Sequence, residues 1–138
     1  MSEKLIENIL KESSGSITDK ININGQNYEI TYNWKRRIHI EIKPAQNLFQ
    51  SMDVCEIRKM WLASVIARYP NYSLKGIRTD LTEKLLSNKY TPVLLSFPAS
   101  KLICENNQIS YSATLSRKHI IRLKKITPYF EALLITLK

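Results

Sequence analysis

From residue 17 to residue 43 the chain switches between apolar and polar at every second position. Ile21 and Ile23 come first, then Tyr28, Ile30, Tyr32 and Trp34, then Ile38, Ile40 and Ile42. The positions between them carry Asn22, Asn24, Glu29, Thr31, Arg37, His39, Glu41 and Lys43. A period of two with one apolar face is the mark of strands buried on one side only. Gly25-Gln26 and Lys35-Arg36 interrupt the alternation where turns belong, and Pro44 ends it. The pattern predicts a three-stranded antiparallel meander. Ahead of it, Leu5, Ile6, Ile9 and Leu10 recur at helical spacing among Glu3, Lys4, Glu7 and Lys11, which predicts a short amphipathic helix over 3–12, broken by Ser13-Ser14-Gly15-Ser16.

Beyond Pro44 the period lengthens. Asp53 with Glu56 three residues later resembles a capping box, and Val54, Ile57, Trp61 and Val65 mark one face of a helix expected over 54–68. Tyr69-Pro70-Asn71 stops it. Ser73 then caps a second helix expected over 74–87, with Leu74, Ile77, Leu81 and Leu85 inward and Lys75, Arg78, Thr79 and Thr82 outward. Trp61 and Leu81 stand at the centres of the two apolar stripes and are expected to be buried. The near-continuous run Val93-Leu94-Leu95-Ser96-Phe97 reads as a strand buried on both faces, ended by Pro98. A hairpin follows over 101–104 and 108–114. Ser116 is expected to cap a basic helix, split near Ile126 because Thr127-Pro128 resembles a fresh helix start. The whole predicts one α+β domain over residues 1–138: short N-terminal helix, three-stranded antiparallel meander, helical hairpin, further strands and C-terminal helices.

Charge adds a direction. Residues 1–50 hold seven Lys/Arg against six Asp/Glu, and residues 51–138 hold fourteen against six, within a net charge of +9 for 138 residues. A basic excess gathered in one region attracts polyanions, of which nucleic acid is the commonest in a cell. Lys118, Arg122 and Lys125 fall at i, i+4 and i+7, with Arg117 and Lys124 beside them, and no acid lies between Ser116 and Thr127. The helix pair 54–68 and 74–87 has the proportions of a helix-turn-helix, in which Lys75 and Arg78 would present donors from the second helix. The nucleic-acid-binding residues expected are therefore Lys75, Arg78, Lys118, Arg122, Lys124 and Lys125. Lys35, Arg36 and Arg37 form a separate basic turn that would extend the footprint.

Other chemistries find less support. The two cysteines, Cys55 and Cys104, each stand alone and fit no zinc spacing, and two lone thiols point to a reducing compartment. Met1 to Lys20 carries charges throughout with no apolar core, so neither a secretory signal nor an anchor is expected, and the protein reads as cytoplasmic. With only three glycines, phosphate-cradling loops and dinucleotide fingerprints are missing. Tyr28, Tyr32 and Trp34 share one alternate face, which assigns them to a core before a base-stacking platform.

Glu41-Ile42-Lys43 on the third strand, with Glu29 twelve residues earlier, resembles the metal site of PD-(D/E)XK nucleases. That superfamily also runs helix, three-strand meander, helix, strand. The resemblance implies that Glu29 and Glu41 would hold Mg²⁺ and Lys43 would lie beside the scissile phosphate, with Glu7 as a further ligand. Here the upstream acid is Glu where the superfamily usually has Asp, and no Pro-Asp pair precedes the triplet. The leading expectation is a small basic nucleic-acid-binding or nucleic-acid-associated protein with no cofactor and no catalytic residue. The alternatives are that Mg²⁺-dependent nuclease, or an adaptor for an acidic protein partner. The order of elements is also compatible with an oligomer, and no membrane span is expected.

Overall fold

A computed structural model describes residues 2–45, 54–59, 72–105 and 108–137. Its centre is one seven-stranded sheet in the order β1-β2-β3-β7-β6-β4-β5, every neighbouring pair antiparallel. Helix α1 (Ser2–Lys11) comes first, then β1 (Gly15–Ile23), β2 (Gln26–Trp34) and β3 (Arg37–Pro44). Next are β4 (Val54–Lys59), β5 (Tyr72–Gly76), α2 (Asp80–Ser87) and a single turn α3 (Thr91–Leu94). β6 (Lys101–Glu105) and β7 (Gln108–Ser116) form a hairpin, and a 3-10 stretch (Arg117–Arg122) leads into α4 (Leu123–Thr136). The fold is mixed α and β, with the sheet dominant. No helix among the described residues is long and apolar enough to cross a membrane.

The alternation over 17–43 fixes which face is inside. Tyr28, Ile30, Tyr32, Trp34, Ile38, Ile40 and Ile42 are all buried, as are Tyr111, Ala113 and Leu115 on β7. Leu5 and Ile9 of α1, Leu85 of α2, Leu94 of α3 and Leu123, Ile126, Phe130 and Leu133 of α4 join the same cluster. The helices therefore cover one face of the sheet. Phe130 meets the Tyr28 ring edge-on at 5.7 Å and lies 6.3 Å from Tyr111. The other face carries the polar set, including Thr18, Thr31, Glu41 and Ser112 on neighbouring strands. On the edge strand β1, Asp19 breaks the apolar series: it stands opposite Ile30, on the helix side.

Several expectations for the middle of the chain are corrected. Residues 54–59 are a strand, because Cys55 and Ile57 face the core opposite Cys104 and Leu102 while Glu56 and Arg58 face out. Val54 and Ile57, three apart, suit a helix, while Cys55 and Ile57, two apart, suit a strand; on so short a run, pairing with β6 decides it. The rest of the expected helix, with Asp53 and Trp61, lies outside the described residues. Residues 72–76 are likewise a strand, with Tyr72 and Leu74 on the core side. Gly76 ends it at a φ of +113°, where an added Cβ would come within 2.0 Å of the Val54 carbonyl oxygen. The second helix thus starts later. Thr79, not Ser73, caps α2: its hydroxyl accepts from the Thr82 backbone N–H, and the Thr82 hydroxyl accepts from the Thr79 N–H at 3.1 Å. Leu81 is half-buried rather than central. The described residues do not form the helix-turn-helix expected over 54–68 and 74–87, because 54–59 and 72–76 are strands.

Residues 93–97 do not form a strand. Thr91 donates its hydroxyl to the Leu85 carbonyl at 2.5 Å and opens α3, so Leu94, Leu95 and Phe97 are buried as a helical turn and the loop after it. At the C-terminal end the break falls at His119 (φ −107°, ψ 27°), not near Ile126, and Ser116 makes no side-chain cap. Pro128 is carried inside α4; it leaves the Lys124 carbonyl without an intrahelical donor.

Candidate nucleic-acid interface

β2 ends at Trp34 and β3 begins at Arg37, so Lys35 and Arg36 form the exposed tip of a hairpin. The Lys35 N–H donates to the Arg37 carbonyl at 3.1 Å. Arg37 lies opposite Ser116 at the end of β7. One residue further, the Arg117 guanidinium spreads over four carbonyls. Its Nη1 donates to Lys35 at 3.0 Å and Ser13 at 3.4 Å, and its Nη2 donates to Glu12 at 3.2 Å and to Ile9. The Ile9 and Glu12 carbonyls belong to the C-terminal end of α1, where acceptors lack intrahelical partners and the helix dipole is negative. A planar fork with five N–H groups satisfies them as a lysine could not. Arg117 thereby ties α1, the β2–β3 turn and the exit of β7 together at one end of the sheet.

That end is basic. An open cleft of about 1190 Å³ runs along it, lined by Ser13, Ser14, Asn33 and Trp34, by Lys35, Arg36 and Arg37, and by His39 and Arg117. None of these is acidic. Ion pairs among the described residues engage Lys43, Arg58, Arg78 and Lys101. Lys35, Arg36, Arg37 and the exposed Lys118 have no carboxylate within ion-pair reach there, so their charge is directed to solvent. The Trp34 ring packs directly on Gly15, where a Cβ would stand 2.4 Å from a ring carbon. Its buried Nε1 finds no acceptor among the described residues. On the polar face, His39 Nδ1 and Thr114 Oγ1 share a 3.0 Å hydrogen bond.

The six cations expected from the sequence are dispersed. Lys118 follows Arg117 and adjoins the basic end. Lys75 lies on β5, at the far edge of the sheet, and Arg78 pairs with Glu83 on α2. The change from 3-10 to α geometry at Leu123 means that Lys118, Arg122 and Lys125 do not form one helical stripe. Arg122 stacks over the Phe97 ring at 4.6 Å. Lys124 stands beside Leu5 and Ile6 of α1, and Lys125 is exposed. The tip Lys35–Arg37 and the Arg117 clamp are what the fold assembles. The unbroken run of three cations was the legible signal; the clamp spans more than a hundred residues and had none.

The acidic triplet is placed differently from a metal centre. Glu29 faces Lys43 directly, Glu41 faces Thr31, and Glu41 pairs with Lys43 at 3.6 Å. The two glutamates are thus diagonal neighbours on the polar face. Glu7 is on α1, across the sheet from them. No group of three or more His, Cys, Asp or Glu among the described residues is placed to hold a metal, so the donor set does not fit Mg²⁺.

Two further clusters were not foreseen. Glu56 is gripped by Arg58, at 3.1 and 3.2 Å, and by Lys101 at 3.4 Å; the Arg58 hydrogen bonds hold its carboxyl below the usual range. Cys55 and Cys104 face each other across β4 and β6 as free, buried thiols. Burial, with Cys55 adding to it, pushes the Cys104 thiol up to about 12, which makes it a poor nucleophile. No family model, no curated protein and no solved structure matches this chain.

Proposed function

We propose that this protein is a small nucleic-acid-binding protein without catalytic activity, engaging phosphates through the basic end of its sheet. The observation that carries the reading is the convergence of Lys35, Arg36 and Arg37 with Arg117 around a cleft with no acidic lining, with the exposed Lys118 next along the chain. Lys124 and Lys125 add to the field from the start of α4, while Lys75, Arg78 and Arg122 are outer contributors. The paired free thiols are in keeping with a reducing, cytoplasmic setting. Glu29, Glu41 and Lys43 support the nuclease reading less, because Lys43 is paired with Glu41 along its own strand and Glu7 lies on the other side of the sheet. An acidic protein partner would use the same cations and is the remaining rival.

Counterion release sets the test. Affinity for a mixed-sequence duplex should fall with salt at a log–log slope of about −0.9 per phosphate neutralised. Changing Lys35, Arg36 and Arg37 together to Gln should flatten that slope by about 2–3 and weaken binding at low salt. The Lys118, Arg122 and Lys125 triple Gln variant should flatten it less. No detectable binding to duplex or single strands at low salt would remove this function in favour of the adaptor. Metal-dependent cleavage of plasmid that disappears in Glu41→Gln would replace it with the nuclease.

A further inference from the structure

Given that reading, we infer that the ligand is duplex DNA and that the Lys35 and Arg36 side chains enter its minor groove while a bordering strand lies in the cleft beside them. Three features of the basic end lead there. First, the end of the sheet is flush. β1 starts at Gly15 opposite Trp34, and β7 stops at Ser116 opposite Arg37. Among these four strands, the two-residue turn continues past the last paired residues of β1 and β7, with Ser13 and Arg117 against its base. A free two-stranded ribbon can fill a major groove about 12 Å wide, but a ribbon flanked on both sides cannot. What projects is a pair of cationic side chains, which suits a minor groove about 6 Å wide.

Second, the tip is held before any ligand arrives. Arg117 fixes the Lys35 carbonyl to the end of α1, and the Lys35 N–H closes the turn onto Arg37. A turn fixed beforehand spares the backbone's share of the ordering cost on binding, leaving that of the two side chains. A narrow A·T-rich minor groove concentrates negative potential and draws such side chains in. Third, the surface around the tip offers phosphate partners on both flanks, Arg37 and Lys118 to one side, Ser13 and Ser14 to the other, and, among the described residues, no Phe, Tyr or Trp ring exposed beside it for a splayed base. Tyr28, Tyr32, Trp34 and Tyr111 all turn into the core. Single strands are held by stacking on exposed rings, and duplex RNA offers a wide, shallow minor groove. Neither matches a narrow two-cation tip.

The test uses the full chain and fluorescently labelled oligonucleotides of equal length at one salt concentration: an A·T-rich DNA duplex, a G·C-rich DNA duplex, a single strand and an RNA duplex. The expected order puts the A·T-rich duplex at least fivefold tighter than the other three, with netropsin, which fills the A·T minor groove, displacing the protein. Lys35→Gln with Arg36→Gln should erase the A·T preference. Binding that persists with netropsin present, or that is tightest to the single strand or the RNA duplex, overturns this inference and leaves the broader function standing. No binding to any of the four overturns both.

Discussion

Arg117 is the residue whose loss should tell most. Its guanidinium is a half-buried donor to carbonyls of Ile9, Glu12, Ser13 and Lys35. A hydrogen bond from a charged donor contributes about 1.5–3 kcal/mol when shielded, and less where water can replace it. The Ser13 contact is long, and the Ser13, Glu12 and Lys35 contacts are all exposed, so each of the three contributes little. The part-buried Ile9 bond carries most of the effect, and Arg117→Ala should cost about 2–4 kcal/mol in all. For a chain of this size that is roughly a 6–14 °C fall in Tm. Arg117→Lys keeps the charge but not the fork, and should recover less than half of the loss. Urea and thermal unfolding of the three proteins measure this. A loss under about 0.5 kcal/mol in the Ala variant, in the range of an ordinary surface change, would refute the clamp. So would full recovery by Lys, because charge alone would then explain the effect.

Phe130→Ala should be the most damaging single truncation in α4, by about 3–5 kcal/mol in urea unfolding, since the ring is fully buried between Tyr28 and Tyr111; a cost under 1 kcal/mol would mean α4 does not seat on the sheet as described. Stability should fall as pH rises above about 9. Cys104 holds its proton to about 12 when folded but near 9.0 when unfolded, so the unfolded chain binds fewer protons in that window. Buried Tyr28, Tyr32 and Tyr111, also shifted upward, steepen the decline above 10. The urea midpoint at pH 8 and 10.5 tests this, and Cys104→Ala should flatten the dependence; an unchanged midpoint in the parent protein contradicts it.

The parts legible in the sequence were those with long periods. Nine alternating apolar residues between Ile21 and Ile42 leave one register in which all are inside, and the three strands pair in that way. The α1 spacing and the 101–114 hairpin were equally readable. Short segments were not. Val54–Lys59 becomes a strand because β6, some fifty residues away, offers Cys104 and Leu102 as partners, and Tyr72–Gly76 becomes one by pairing in turn with Val54–Lys59. The same holds for Val93–Phe97, whose conformation is decided by a Thr91 hydroxyl bound to α2. At the candidate site, the Lys35–Arg37 turn was visible as a run of charge. Its union with Arg117 was not, since a side chain bonding to main-chain carbonyls leaves no pattern of residue types.

The misplaced Asp19 bears on what this sheet does in company. β1 is a nine-residue strand at one edge of the sheet, long enough to tempt a second copy into continuing the ladder. Two copies related by a two-fold axis pair antiparallel only in registers that keep inward residues opposite inward ones. The fullest such overlap sets Asp19 against its own counterpart, and the two next, equal in length, set Lys20 or Thr18 against its own. Like charges directly opposite oppose pairing, and Asp19 would meet its twin on the half-buried side, where water helps least. The opposite edge, β5, is five residues long and ends at a glycine with positive φ. The carboxylate of Asp19, set among isoleucines, thus penalises the fullest self-pairing of this edge, and Lys20 penalises one of the two shorter ones.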